Sequence, residues 1–267
     1  MRPIERSAST SAVTTGKQQV AGLFFDLLSE DEVVRHVIGE AQAGNGGWIA
    51  TPNVDICRQV RRDSSLVKLL ETASLTVPDG MPLIWAAKMM GTPLIARVTG
   101  ASLIFTLSEA AASAGLSVYL LGGEPGVPDA AGENLARRTP GLKIAGADSP
   151  VLGFDRSPAE VSAVCGRVRD AAPGIVFVGL GFPKQERLIT RLTEELPGTW
   201  FVGCGAAINF AAGTADRAPG WMQQAGMEWA HRLVKEPKRL FRRYLIDDLP
   251  FALSLLAVAA MRRGRAA

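Results

Sequence analysis

The sequence predicts an α/β protein with a Rossmann-like fold, in which a mostly parallel sheet is flanked by helices and followed by a C-terminal helical appendage. Two observations support the sheet: short β-like runs alternate with amphipathic helical stretches, and several of these runs end in glycine-bearing or polar turns. A third supports the appendage, because beyond Gly213 the pattern becomes helical only and includes a basic and an apolar segment.

The strands and helices follow from the spacing of apolar residues. Strand-like runs lie at 20–27, 48–51, 75–77, 117–121, 142–145, 175–180 and 200–202. Helical spacing predicts helices at 31–43, 55–71, 81–90, 101–114, 127–139, 158–171 and 184–196, with starts marked by Ser29, Asp79, Thr99 and Ser157. Parallel strands need such crossover connections, so this alternation indicates a parallel sheet.

A chain of 267 residues is long enough for one sizeable core with a small addition. We expect a disordered leader at 1–18, an α/β core at 19–214 and a basic and apolar helical appendage at 215–267. The leader lacks the apolar segment of a secretory signal, which predicts a cytoplasmic protein. The apolar segment at 249–261 contains Pro250 and is shorter than the roughly 20 residues that a membrane-spanning helix needs.

Composition argues against several kinds of site. The net charge of +3 is modest and its basic residues crowd the C-terminal end, so we expect a local basic surface and no nucleic-acid partner. Cys57, Cys165 and Cys204 lie far apart without a CxxC pair, and the two histidines have no ligand spacing. We therefore expect neither a metal nor a cofactor.

Five turns follow predicted strands, at 51–53, 79–80, 122–124, 179–181 and 203–205. In an open parallel sheet, ligands bind outside the carboxyl ends of the strands. We therefore expect these turns to converge on one crevice, which is the predicted site.

Asp79 is the candidate with the most chemistry, because it ends a predicted strand and precedes Gly80. A carboxylate in this position can act as a general base toward a hydroxyl, which typically contributes about 10²- to 10⁴-fold in rate. The alternative is that Asp79 caps the next helix or forms an Asp-Gly turn, and the local pattern alone favours the cap.

Other candidates for ligand binding surround the crevice. Thr51 and Asn53 flank Pro52, which fixes an extended turn, and Asn53 alternatively caps the helix that follows. Gly122 and Gly123 precede a helix and leave backbone N–H groups available for a diphosphate.

Arg97 precedes the helix at 101–114, where its guanidinium can pair with a phosphate or make a surface ion pair. Lys184 and Gln185 open another helix and can meet phosphate or uracil edges, or are solvated residues of a helix start. The turn at 179–181 does not continue as GxGxxG, which argues against bound NAD. No DxD pair is present, so protein cations would have to stabilise a leaving diphosphate.

The basic residues of the appendage are the candidates for that stabilisation. Arg232, Arg239 and Arg242 are spaced at seven and three, which is compatible with one helix face, and Pro237 is predicted to start a second helix. Such a face can bind pyrophosphate or lie on anionic lipid, and the apolar segment beside it favours an interfacial helix. The appendage is therefore predicted to associate with an anionic membrane surface.

Taken in order, these motifs resemble those of the WecG/TagA/CpsF glycosyltransferase family, from about residue 20 to about residue 250. The resemblance rests on Thr51-Pro52-Asn53, Pro78-Asp79-Gly80, Arg97-Val98-Thr99-Gly100, Leu121-Gly122-Gly123, residues 179–186 and 203–209, Glu228-Trp229, Arg232-Leu233, Glu236-Pro237 and Arg239. The chain departs from it at Phe182, where relatives often have a smaller residue before the proline.

The resemblance implies an inverting, metal-independent transfer from a UDP-sugar donor onto a polyprenyl-pyrophosphate-linked acceptor in cell-surface polysaccharide or exopolysaccharide biosynthesis. The donated sugar would be N-acetylmannosamine, its uronic acid or glucose. The resemblance implies that Asp79 is the catalytic base. It implies that Thr51, Asn53 and Gln185 line the site. It also implies three arginines that close over the donor diphosphate at the membrane: Arg232, Arg239 and Arg242.

Two other functions remain open from the sequence. A non-catalytic nucleotide-binding membrane adaptor in polysaccharide assembly would keep the fold, with Asp79 only a cap. An NAD-dependent oxidoreductase rests on fold analogy alone. In each membrane-associated case we expect peripheral attachment to the inner face of the cell membrane, and a homo-oligomer could hide the apolar tail in the soluble form.

Overall fold

The structure is a computed structural model that describes residues 16–266. Most of the predicted leader lies outside these residues. Its last two residues, 17 and 18, belong to a strand, so the predicted boundary at 18 is too late. This strand, β1 (Lys17–Val20), pairs with β2 (Leu23–Asp26) as an antiparallel hairpin apart from the main sheet.

The prediction of one continuous strand at 20–27 was wrong because a turn interrupts it. Ala21 and Gly22 both have positive φ, of 52° and 89°. Two consecutive residues of this kind form the tight turn whose twist suits a hairpin. The chain therefore reverses between Val20 and Leu23.

The main sheet has six parallel strands in the order β4-β3-β8-β7-β5-β6, which confirms the predicted Rossmann-like α/β fold. Its strands are β3 (Gly47–Ala50), β4 (Leu75–Thr76), β5 (Ser117–Gly122), β6 (Lys143–Asp148), β7 (Ile175–Gly179) and β8 (Trp200–Gly203). The central strands β8 and β7 are nearly fully buried, as expected for strands covered on both faces.

Nine helices of the described chain cover the sheet before the appendage begins. They are α1 (Glu30–Gln42), α2 (Val54–Arg62), α3 (Ser65–Glu71), α4 (Met81–Met89), α5 (Gly100–Ser113), α6 (Val127–Arg138), α7 (Pro158–Ala171), α8 (Lys184–Glu195) and α9 (Ala207–Ala212). The single helix predicted at 55–71 is broken after α2. There, Asp63 Oδ1 accepts hydrogen bonds from the N–H and hydroxyl of Ser65, at 2.9 and 2.6 Å, which compete with the helical pattern.

Strand alternation divides the core into two layers. In β7, Val176 and Val178 pack with α2, α3, α4, α7 and α8, whereas Ile175 and Phe177 pack on the other face with α1, α5, α6 and α9. Successive side chains of a strand point to opposite faces, so one short strand contributes to both layers. Helices cover both faces of the sheet, and the sheet is open to a ligand at the carboxyl ends of its strands.

The appendage begins with α10 (Gly220–Gln224) and α11 (Glu228–Lys235) and continues as one long helix. This helix consists of α12 (Pro237–Phe241), a π-helical segment (Arg242–Asp248) and α13 (Leu249–Ala266). As predicted, Pro237 starts a helix. The part Pro237–Arg263 has 27 residues and is long and apolar enough to cross a membrane by length and composition alone, with 11% of its most apolar stretch buried.

The prediction that the apolar segment is too short considered 249–261 by itself and counted Pro250 against a spanning helix. In the structure the π-helical segment ends two residues before Pro250, and the helix continues through the proline. One side of α13 packs on the core: Ala259 is fully buried and Phe251, Leu255 and Leu256 contact the layer that contains α4. The long helix therefore lies against the α/β domain.

Candidate active site

A cavity of about 1370 Å³ opens at the carboxyl ends of the strands, between the core and the appendage. All five predicted turns contribute to its wall, through residues that include Thr51, Asp79, Glu124, Gly179 and Gly203. The appendage supplies the opposite wall, from α11 to α13. This volume exceeds the roughly 300–1,000 Å³ of an ordinary small-molecule pocket.

Asp79 follows β4 and its backbone N–H donates to the carbonyl of Pro52 at 3.0 Å, which ties together the turns after β3 and β4. The N-cap of α4 is Gly80, and the side chain of Asp79 does not cap it. The capping role that the local pattern favoured was therefore wrong. No residue between 16 and 266 hydrogen-bonds the Asp79 carboxylate, which stays available to a ligand in the cavity.

The surroundings of Asp79 change its acidity. Burial raises the pKa of the Asp79 carboxyl to about 7, and Arg97, Arg217 and Arg232 oppose this increase while Glu228 adds to it. Burial dominates because an ionised carboxylate loses its hydration where few neighbours replace water. A pKa near 7 is well matched to a general base that works at neutral pH.

Thr51 and Asn53 hold the turn after β3. The Thr51 hydroxyl donates to the carbonyl of Gly203 at 2.8 Å, which joins the carboxyl ends of β3 and β8. Asn53 Oδ1 accepts from the N–H of Ile56 at 3.1 Å, so the predicted cap of α2 is confirmed. Both residues also line the cavity, and Asn53 Nδ2 has no partner within the described chain.

Gln185 is held at the start of α8 by two hydrogen bonds. The backbone N–H of Gly181 donates to its Oε1 at 3.2 Å, and its Nε2 donates to Glu186 Oε1 at 2.8 Å. Glu186 is buried, its other oxygen has no partner in the described chain, and burial raises its pKa to about 7. Sequence analysis assigned Glu186 no role, although its spacing from Ile189 places it on the buried face of α8.

Arg97 lies between the core and the appendage. Its Nη1 is 3.2 Å from Glu228 Oε2, and its Nη2 donates to the carbonyl of Gln223 at 3.3 Å. Arg217 Nε lies 3.9 Å from the other oxygen of Glu228. The ion-pair alternative for Arg97 is thus observed, but as a partly buried contact with the appendage. From the sequence, Glu228 was named only as part of the family resemblance and Arg217 was not named, because their partners lie far away along the chain.

The predicted arginine face is divided by the helix geometry. Arg232 and Arg239 line the cavity, whereas Arg242 is exposed and does not. Arg243 lines it instead, 3.0 Å from Asp55 Oδ2. The spacing argument assumed regular α-helix, but the helix breaks before Pro237 and becomes π-helical at Arg242, which changes the residues on each face. The prediction that Arg232, Arg239 and Arg242 share one helix face was therefore wrong.

The two lining arginines differ in their partners. The guanidinium of Arg232 lies over the Phe210 ring, 5.6 Å from its centroid, and its buried Nε has no hydrogen-bond partner in the described chain. Arg239 donates to Glu236 Oε2 at 2.6 Å. Of these two predicted residues, Arg232 is therefore the one with unused donors beside the cavity that contains Asp79. Outside the predicted set, Arg243 also has a buried Nε without a hydrogen-bond partner in the described chain.

Gly122 and Gly123 lie beside the cavity wall, which their neighbours Glu124 and Val127 form. A Cβ at Gly122 would meet the carbonyl oxygen of Gly179 at 2.5 Å. This close approach of β5 to β7 explains why residue 122 is a glycine. Diphosphate binding by this turn stays a prediction.

The cavity offers cations rather than a cluster of metal ligands. Within residues 16–266, no group of three or more His, Cys, Asp or Glu side chains could hold a metal ion. The three cysteines are free and buried, so they form no disulfide.

The family described as Glycosyl transferase WecG/TagA/CpsF family matches residues 18–265. The chain is 30% identical over 200 residues, 75% of each chain, to an N-acetylglucosaminyldiphosphoundecaprenol N-acetyl-beta-D-mannosaminyltransferase of Bacillus spizizenii (strain W23). It is 27% identical over 247 residues to the protein of the same name from Staphylococcus aureus (strain MW2), which covers 92% of this chain and 94% of the relative. The fold, the cavity and this match over nearly the whole chain lead to one conclusion: the protein belongs to the WecG/TagA/CpsF glycosyltransferase family.

Proposed function

We propose that the protein transfers a hexosyl group from a UDP-sugar onto a polyprenyl-diphosphate-linked saccharide, with inversion, at the cytoplasmic face of a bacterial membrane. N-acetylmannosamine is the donor sugar to test first, since both named relatives transfer it to N-acetylglucosaminyldiphosphoundecaprenol. Its uronic acid and glucose are the next candidates.

The observation that carries this proposal is the Asp79 carboxylate, which lies in a large cavity with a pKa of about 7 and accepts no hydrogen bond from any described residue. In the proposed step, Asp79 accepts the proton of an acceptor hydroxyl as that oxygen attacks the anomeric carbon. The bond from that carbon to UDP breaks at the same time, and UDP leaves with the electron pair. A single displacement of this kind inverts the anomeric configuration.

Arginines would stabilise the charge on the leaving diphosphate without a metal. Arg232 has donors beside the cavity that lack a hydrogen-bond partner within residues 16–266, and Arg239 lies on the same wall. Fixed cations aimed at developing charge supply a large part of catalysis in many enzymes. Thr51, Asn53 and Gln185 would hold the sugar and nucleotide against this pair of charges.

Peripheral membrane attachment is proposed for the long C-terminal helix. One side of this helix packs on the core, and Asp248 within it accepts a hydrogen bond from Arg58 of α2 at 3.0 Å. Large apolar residues of this helix that lie outside the cavity wall are exposed: Phe241, Ile246, Val258 and Met261. A helix that is bound to its own domain on one side and apolar on the other is suited to lie in the membrane interface.

A donor screen with a synthetic N-acetylglucosaminyl-diphospho-polyprenol tests reaction class and substrate together. We expect turnover with one UDP-hexose, and loss of turnover in Asp79→Asn. A protein that binds UDP-sugars but turns over none of them, in the wild type as in the variant, would support the nucleotide-binding adaptor and refute the proposal.

A further inference from the structure

We propose that the apolar end of the cavity, between α4 and α13, is a groove that binds the first isoprene units of a polyprenyl diphosphate. This inference rests on the proposed function, but its test does not require sugar transfer. The remainder of the lipid would stay in the membrane.

The groove has two apolar walls that belong to the same cavity as Asp79. Helix α4 contributes Met81 and Trp85, and α13 contributes Leu249, Ala252, Leu253 and Leu256. The α13 residues recur at three, four and seven positions, so they form one stripe along the helix. Leu249 to Leu256 spans about 10 Å at the rise of an α-helix, which limits the groove to a short piece of lipid.

Large apolar side chains remain exposed in this groove. Trp85 is 41% exposed and Leu253 is 59% exposed, and both line the cavity. A contiguous apolar patch that stays exposed commonly marks a binding surface. An apolar ligand would remove these side chains from water.

The turn between α10 and α11 closes one side of the groove. Gly226 is buried in this turn, and a Cβ there would lie 2.4 Å from Met81 Cγ and 3.3 Å from Trp85 Cζ2. The backbone therefore rests on the start of α4. This contact places the mouth of the groove next to the turn that contains Asp79.

The order of chemical groups along the cavity identifies the occupant. The Asp79 carboxylate lies on the core wall of the cavity, and along the long helix Arg239 and Arg243 line the cavity before the apolar stripe that begins at Leu249. A polyprenyl-diphosphate saccharide has the matching order of hydroxyl groups, diphosphate and hydrocarbon. A bilayer alone would not require an apolar surface that continues into the catalytic cavity.

Calorimetric titration with farnesyl diphosphate, which carries three isoprene units, and with inorganic diphosphate tests the groove. Both titrations are made in vesicle-free solution below the critical micelle concentration of the lipid. We expect the wild type to bind farnesyl diphosphate at least about tenfold more tightly, because burial of apolar surface adds to the same diphosphate contact. The variants Trp85→Ser and Leu253→Ser are expected to lose this preference while binding inorganic diphosphate as before.

Ile246→Ser is the matched control, since Ile246 is 58% exposed on the same helix but does not line the cavity. It should retain the wild-type preference. Equal affinity of the wild type for the two probes, or equal loss in all three variants, would overturn the proposal. So would a change in sedimentation of Leu253→Ser without a change in affinity, because that result would assign the groove to a second copy of the chain.

Discussion

The sheet and the appendage of this protein use apolar residues in opposite ways. In β7 and β8, Ile175, Val176, Phe177, Phe201 and Val202 are completely buried, and their side chains stabilise the domain. Among the described residues, ten of the fifteen exposed large apolar side chains lie between Trp221 and Met261. Apolar surface that stays in water does not stabilise the fold, so stability comes from the core, and the exposed apolar side chains of the appendage suit the ligand and membrane contacts proposed for it.

The largest expected effect is at the junction of the two regions. Asp79→Asn removes the proposed base, and we expect sugar transfer to fall by about 10²- to 10⁴-fold. The fold should persist, because none of the residues that the structure describes hydrogen-bonds this side chain. Initial rates with the acceptor and circular dichroism of the same preparation measure the two properties, and undiminished turnover would remove Asp79 from the mechanism.

The same variant should be more stable than the wild type at high pH. The pKa of Asp79 is raised from 3.8 to about 7, so the folded state favours the protonated form. Ionisation of Asp79 is therefore unfavourable in the folded state, and the free energy of unfolding decreases as the pH rises from 3.8 toward 7. At pH 8 we expect Asp79→Asn to increase the free energy of unfolding by on the order of 1 kcal/mol, with no such gain at pH 4. Thermal melts at the two pH values measure this difference.

Arg232→Ala is expected to reduce kcat by roughly 10²-fold, since it removes a fixed cation from the proposed leaving-group site. Arg242→Ala is the matched control from the same appendage, because Arg242 is exposed outside the cavity wall. A larger loss in Arg242→Ala than in Arg232→Ala would show that the appendage reorients before catalysis.

The pH profile should show one rising limb through about 7 in kcat/KM, because the proposed base must be ionised. Below that pH we expect a decrease of about tenfold per unit. Glu186 also has a pKa of about 7, so the control is Glu186→Gln, whose amide oxygen can still accept from Gln185. Disappearance of the limb in this control would assign it to Glu186 instead.

The membrane role of the appendage can be separated from its packing. The double variant Ile246→Ser and Met261→Ser changes two side chains that are 58% and 62% exposed. We expect roughly tenfold weaker cosedimentation with phosphatidylglycerol-containing vesicles, because less apolar surface enters the interface. The melting temperature should be unchanged, and equal sedimentation of both proteins would contradict the membrane assignment.

The smallest expected effect concerns the fit of the two regions. Gly226→Ala adds a methyl group against Met81 at a residue with φ of 73°, where side chains are strained. We expect the α10–α11 turn to shift and KM for the lipid acceptor to rise a few-fold, with kcat nearly unchanged. Gly220→Ala, where a Cβ meets nothing within 4 Å, is the control.

The sequence alone predicts the parallel α/β fold and the turns at the strand ends, and most of the site residues predicted from it line the cavity. Alternating apolar and helical patterns are local properties, and parallel strands bring their carboxyl ends together whatever their order. This reasoning placed Thr51, Asp79 and Gln185 correctly along one edge of the sheet.

Only the tertiary structure decided which partners meet across that edge. The Arg97–Glu228 pair joins residues 131 positions apart. The pKa of Asp79 is raised by burial in the tertiary structure, which the neighbouring residue Gly80 does not indicate. The exchange of Arg242 for Arg243 depends on a π-helical segment that residue spacing does not predict. Electrostatics and helix phase depend on long-range packing, whereas the pattern of a strand or a helix depends on its own residues.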